Sequence, residues 1–449
     1  MSAGGERTEA GSRSPSAIDD AGYRPFHTRL LTYSCGGPFC DGYVLGIIAI
    51  ALPSLAISLH LGSRWQGLIA AASLLGMVVG GTLFGYLTDR VGRQVMYTID
   101  LVALVIASAA QFWVHEPWEL FGLRFLLGVA VGADYPIASA LLCEFAPRGR
   151  RGMLLAAMIG AWWLGYTVSF LGGYAMSTWS GLDWRWMLAS SAIPAAIVVA
   201  LRLGTPESPR WLASKGRLQE AAAIVEKHLG AGYRLESVDR PTRAPTSLLE
   251  ARYLRRLVFV CVFWSCQVVP TFAIYTYAPE LLRAFHVPNP ALGAALISVM
   301  FTAGVIPAMW LVDRVGRRPL LTVPFLVTGV ALALLAALPT EGHVGFVALL
   351  FGLFALFSAG SSVLQWIYPA ELFPTEVRAT GLGIATSVSR VSAAIGTFLF
   401  PVAIVRFGTR PLIAAMAALS LVGWLVAARS APETKGLSLS ETSSSGGRV

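Results

Sequence analysis

Asp89-Arg90-Val91-Gly92-Arg93 recurs, residue for residue, as Asp313-Arg314-Val315-Gly316-Arg317. The displacement is 224 residues (313 − 89), about half of a 449-residue chain. Two further stretches repeat at nearly the same distance. Glu144–Gly152 (EFAPRGRRG) is echoed by Glu371–Gly381 (ELFPTEVRATG), 227 residues on, and Pro206-Glu207-Ser208 by Pro432-Glu433-Thr434, 226 residues on. Three separate motifs sharing one offset identify a duplicated unit.

What is duplicated follows from composition. Hydrophobic residues make up 55% of the chain and charged residues 13%, with a mean hydropathy of +0.64. A soluble domain carries about a quarter charged residues, so a soluble, disordered or fibrous chain is excluded. Crossing about 30 Å of hydrocarbon takes a helix of roughly 20 apolar residues. Such runs lie at 33–57, 66–88, 95–114, 117–142, 152–178 and 184–203, and again at 255–281, 291–312, 319–338, 342–369, 380–405 and 409–428. The expectation is an all-α membrane protein of twelve spans. Two six-helix bundles, 31–203 and 255–428, are joined by a loop at 204–254 that contains an amphipathic stretch, Leu218–Leu229. Residues 1–30, polar with no cleavable signal, and 429–449 read as tails, the first of them disordered.

The 34 Lys and Arg orient the bundle. With the termini inside, 27 fall on cytoplasmic segments and five (Arg64, Arg185, Arg283, Arg406, Arg410) on external loops, while Arg124 and Arg390 remain within spans. That asymmetry is the positive-inside signal. The net charge of +9 is therefore topology and calls for no nucleic-acid partner. Parallel repeats of this kind place a substrate site at mid-membrane between the halves, and rocking of the halves alternates its access.

Gly85–Arg93 (GYLTDRVGR) resembles the loop between helices 2 and 3 of the major facilitator superfamily. Pro206–Leu212 (PESPRWL) and Glu371–Arg378 (ELFPTEVR) resemble its sugar-porter and organic-ion-transporter branches. The likeness covers the whole membrane region. It implies alternating access driven by the proton gradient, with no cofactor, and a monomer in the plasma membrane; the scarcity of Lys among the basic residues (Lys215, Lys227 and Lys435 of 34) points to a bacterial source. The charged turns that carry Asp89, Arg90, Arg93, Glu144, Arg151, Asp313, Arg314, Glu371 and Arg378 are expected to latch the bundles in one state and release them in the other. They say nothing of cargo.

Ionisable groups within spans cost about 2.5–3.5 kcal/mol to insert and so mark function. Asp41 lies in helix 1, and Arg124 and Asp134 lie in helix 4. A carboxylate in low dielectric is suited to loading and unloading a proton, so one of the two acids, Asp41 by preference, is expected to couple transport to protons. A fixed pair with Arg124 is the competing role. Asp100 and Glu144, nearer the cytoplasm, are expected to be satisfied by loop arginines. In carriers resembling the animal organic-ion transporters, the residue twelve after the motif arginine faces the cavity. Arg378 plus twelve is Arg390, and the resemblance associates arginine there with anionic or zwitterionic cargo. A guanidinium is also a bidentate carboxylate clamp. Tyr135, Trp162, Gln267, Tyr275, Gln365 and Trp366 complete a candidate pocket for a small organic acid.

The motifs of neighbouring branches are incomplete. Gln267 stands alone and Ser362-Val363 precede Trp366, against the paired helix 7 Gln and the helix 10 Gly-Pro of sugar porters. Val268 replaces the helix 7 acid of phosphate symporters, and Gly165-Tyr166 lacks the Pro of drug antiporters. Proton symport of an organic anion is the reading that remains. Export of drugs or organic cations, and a receptor that transports nothing, stand as alternatives. No nucleophile elbow, phosphate loop or Cys/His metal spacing is present, so enzymatic activity is not expected. The partners are the organic substrate, protons and lipid.

Overall fold

The computed structural model describes residues 16–17, 23–145, 151–202, 205–230, 233–234, 250–338, 343–373 and 375–435. The first half contains α1 (Pro25–Ser58), α2 (Ser63–Val91), α3 (Arg93–Ala110), α4 (Pro117–Phe145), α5 (Arg151–Thr178), α6 (Trp184–Ala189) and α7 (Ala192–Arg202). Two short helices follow, α8 (Pro209–Ser214) and α9 (Leu218–Leu229). The second half contains α10 (Ala251–Thr276), α11 (Ala278–Ala284), α12 (Pro290–Val315), α13 (Arg317–Ala337), α14 (Val344–Leu372), α15 (Thr375–Phe407) and α16 (Thr409–Ser430). The only extended segments among the described residues are Ser16–Ala17 (β1) and Tyr233–Arg234 (β2), which pair in parallel.

Eleven stretches of the described residues are long and apolar enough to cross a membrane; α4, 29 residues long, runs beside them. In lipid every backbone polar group must be satisfied within the chain, which is why the spans are helices. Prolines within them, such as Pro38, Pro53 and Pro270, are accommodated as they would not be in water. Outward faces are apolar: Leu83, Ile106, Ile197, Ile306 and Trp310 are exposed, far more than a water-facing surface carries.

The two halves pack alike. In the first, α2 lies along α4 and α1 along α5; in the second, α12 lies along α14 and α10 along α15. Between the halves α2 meets α15 and α5 meets α12. The site lies where these two contacts flank the central helices.

One boundary differs from expectation. Helix α1 begins at Pro25, so residues 25–30 are helical instead of part of a disordered tail. Proline at the first helical position has its φ preset and lacks only an NH that has no partner there. Phe26 then packs on Phe145 at 5.2 Å between ring centroids and on His228 of α9 at 4.5 Å. Buried His27 donates from Nε2 to the Phe145 carbonyl at 3.0 Å. Docking against α4 and α9 thus fixes a segment whose composition alone reads as tail.

Candidate transport site

The DRVGR turns place a glycine at the start of the following helix, at φ +118° for Gly92 and +102° for Gly316, a region that side chains other than glycine seldom adopt. The tight turn exposes the first amides of α3 and α13, and an acid from the repeated Pro-Glu-Ser/Thr motif covers each set. Glu207 accepts from Gln94 N at 3.1 Å. Glu433 accepts from Arg317 N and Arg318 N, both at 3.0 Å, and from Thr434 N and Lys435 N. A carboxylate at a helix N-terminus satisfies orphan donors and complements the dipole.

In the second half Arg317 extends this network. Its Nη2 donates to Glu371 Oε1 at 2.7 Å and its Nε lies 3.2 Å from both Glu371 oxygens. Thr434 Oγ1 donates to Glu371 Oε2 at 2.5 Å. This network fastens α13 to α14 and so lies inside one bundle, where a latch between bundles was expected. The adjacent Arg314, exposed, sits over the Trp310 ring at 3.4 Å while its carbonyl accepts from Lys435 Nζ at 2.6 Å. Arg90 is exposed at the end of α2. The side chains of Asp89, Arg93, Tyr135, Glu144, Arg151, Asp313, Trp366 and Arg378 lie outside the described residues.

At mid-membrane the halves meet over aromatic rings. Trp163 of α5 stacks on Phe301 of α12 at 4.2 Å and donates from Nε1 to Ser362 Oγ of α14 at 3.3 Å. Thr167 bonds Thr302 Oγ1 at 2.7 Å and the Ser298 carbonyl at 2.8 Å. Nearer the end opposite the DRVGR turns, Asn289 Nδ2 donates to Tyr174 OH at 3.3 Å. Buried Tyr275 lies edge-on to Phe301 at 4.3 Å.

Around these rings stand the polar candidates. Gln365 donates to Gln267, which reaches the Ser358 carbonyl and Thr271 Oγ1 at 3.4 Å each; both glutamines are buried. Arg390 of α15, half-buried, holds its guanidinium 5.7 Å from the Phe272 ring centre. Half-buried Trp162 meets the same ring edge-on at 6.2 Å. Arg390 and Asp41, from opposite halves, are within electrostatic reach of each other. A charged fork beside a flat ring is suited to a small planar or branched anion.

The acids differ from expectation. Arg124 pairs with neither Asp41 nor Asp134; among the described residues its Nη2 donates to the Val44 carbonyl at 3.4 Å and its Nε and Nη1 find no partner. Asp100, expected to rest on a loop arginine, has no partner on either oxygen among the described residues. It faces the interior of the first bundle together with Asp41 and Asp134. Helix α3 packs on α4 and α7, and Asp100 is buried there.

Sequence reasoning passed over Arg317, Glu207, Glu433, Thr167 and Tyr97. For the first three the signal was present: the Pro-Glu-Ser/Thr and DRVGR motifs are duplicated together, one of each in either half. For Thr167 and Tyr97 no local pattern exists.

The sequence profile described as "Sugar (and other) transporter" matches residues 30–445. The putative metabolite transport protein YaaU of Escherichia coli is 39% identical over 95% of this chain and 96% of its own length. The inner membrane metabolite transport protein YgcS of the same organism is 36% identical over 97% and 98%. Among solved structures, the inward-open xylose transporter XylE from E. coli superposes with a TM-score of 0.78 at 23% identity, covering 93% of this chain and 99% of its own.

Proposed function

Because the chain belongs to the sugar (and other) transporter family of the major facilitator superfamily, we propose that it takes up a small organic anion, a carboxylate, by proton-coupled symport. The observation that carries this reading is Arg390, a guanidinium from the second half set beside Phe272, with Asp41 of the first half in its field. Arg390 clamps the carboxylate with two parallel hydrogen bonds. Phe272 and Trp162 cover the apolar body, and Gln267 and Gln365 orient it. Asp41 carries the coupling proton. When it is neutral, Arg390 is free to hold an anion; when it is charged, the two compete and the anion leaves. The turns bearing Asp89, Arg90, Arg93, Glu144, Arg151, Asp313, Arg314, Glu371 and Arg378 brace the bundles as they rock. Both termini lie in the cytoplasm, in keeping with the 27 basic residues on that side.

A sugar or polyol is the second reading, favoured by the buried Gln267–Gln365 pair and the likeness to a proton:xylose symporter. Thermal shift of the purified protein against nicotinate, benzoate, xylose, myo-inositol and tetraethylammonium separates the readings. A ligand at a hundredfold excess over Kd stabilises by about 2.7 kcal/mol. Stabilisation by the carboxylates, lost in Arg390→Ala, is the expected result. Stabilisation by xylose or inositol, unchanged in that variant, would favour the second reading, and stabilisation by the ammonium ion would favour cation export.

A further inference from the structure

Asp41 (α1), Asp100 (α3) and Asp134 (α4) are 2%, 1% and 0% exposed. Asp41 Oδ1 and both oxygens of Asp100 and of Asp134 find no hydrogen-bond partner among the described residues. Each acid lies within electrostatic reach of the others. The charged groups around them do not compensate. Arg202 of α7 is drawn to the Tyr33 carbonyl and lies over the Tyr97 ring. Arg124 turns to Val44, and Arg390 is within electrostatic reach of Asp41. Cys40 is a further titratable group at the cluster. Three like charges in low dielectric with a single guanidinium in reach of one of them are not tolerable, so the cluster is neutralised by protons.

A second observation points into the cluster. The hydroxyl of Tyr97, a residue 2% exposed, also finds no partner among the described residues. It and the Asp134 carboxylate converge on one point, the bare Cα of Gly37, where a methyl group would collide with both. Tyr97 and Asp100 are three residues apart on α3 and so share a face. The hydroxyl therefore meets Asp134, and the helix face that bears it also carries Asp100.

The positions form a ladder. At 1.5 Å per residue, Asp100 is about 10 Å from the start of α3 and Asp134 about 16 Å from the end of α4. Asp41 is about 22 Å from Phe26, which packs on that same α4 end. We propose that Asp134, Tyr97 and Asp100 form a proton path behind α1, from Asp41 to the cytoplasmic end of the first bundle, separate from the substrate route. Asp100 releases its proton to water; the Tyr97 hydroxyl then passes its own to the Asp100 carboxylate and takes one from the Asp134 carboxyl, and the Asp134 carboxylate so formed takes the proton of Asp41. Substrate can then leave between the halves without carrying the proton with it.

This rests on the reading of Asp41 as the coupling acid, and the test separates the two. Infrared spectra of the protein in lipid vesicles, with no substrate, report protonated carboxyl groups, and Asp41→Asn identifies the Asp41 band. On transfer to D2O with all variants folded, that band is expected to exchange about tenfold or more slowly in Asp134→Asn and Asp100→Asn, and severalfold more slowly in Tyr97→Phe. Exchange at the wild-type rate in these variants overturns the path while leaving Asp41 as the coupling acid. If Asp41→Asn removes no band, the coupling reading itself fails. Should the aspartate variants not fold, Tyr97→Phe, which keeps every charge, decides alone: slowed exchange supports the path and an unchanged rate overturns it.

Discussion

Arg317 and Glu371 meet at 2.7 Å, with side chains only 13% and 18% exposed, and both belong to the second half of the molecule. A motif placed at the turn between two spans thus binds its own bundle together. A bundle that must rock as a body needs such internal bracing, and the pair supplies it between α13 and α14.

Removing one partner of a pair this enclosed takes from the other the counter-charge it faces. Arg317→Ala and Glu371→Ala are each expected to cost about 3 kcal/mol. The double variant should cost much less than the two losses combined. Denaturation of the four proteins in detergent checks this; additive losses would mean that the pair does not act as a unit.

Glu433 predicts a pH dependence. Burial works against its ionisation, but the backbone amides of Arg317, Lys435, Arg318 and Thr434 hold its carboxyl below the ordinary range. A depressed carboxyl contributes stability that is complete above the unfolded value, about 4.3, and lost as pH falls through the folded one. Wild type should therefore lose melting temperature on acidification below about pH 4 more steeply than Glu433→Gln. The variant should already be less stable at neutral pH. Equal acid limbs would refute the assignment.

Gly37→Ala places a methyl group against the Asp134 carboxylate and the Tyr97 hydroxyl. Overpacking of this kind costs about 1–3 kcal/mol. Gly160→Ala, in α5 with nothing within 4 Å of the added carbon, is the control and should stabilise by about 0.5–1 kcal/mol. Thermal melts of both variants decide whether the close approach at Gly37 is as tight as the contacts require.

Arg390→Lys keeps the charge and loses the fork. If Arg390 clamps a carboxylate, titration calorimetry with nicotinate should show binding weakened roughly tenfold or more in the lysine variant and further in Arg390→Ala. Xylose binding should be unaffected by either change. Equal affinity of the lysine variant and wild type would reduce Arg390 to a point charge.

Thr167→Val removes two bonds between the halves and nothing within either. At about 1 kcal/mol per bond, the equilibrium should move by fivefold or more toward states with α5 and α12 apart. Distances between spin labels on those two helices report the shift, and an unchanged distribution would show that these bonds do not bias the halves.

The sequence by itself determined the duplication, the helical spans and the positions of the charged turns. Each rests on a local rule: apolar length for a span, an identical offset for a repeat, the cost of a charge in lipid for a site. It also marked Asp41, Asp134, Arg124 and Arg390 as residues whose presence in a span needs a reason. Only the tertiary structure decided how those residues are satisfied. Arg124 turned to a backbone carbonyl, Asp100 joined the buried acids, and Arg317 closed on Glu371 within one bundle. A helical period tells which residues share a face but not which faces meet. That depends on crossing angles and on where a small residue such as Gly37 lets two helices close in, and those are set by packing across hundreds of residues.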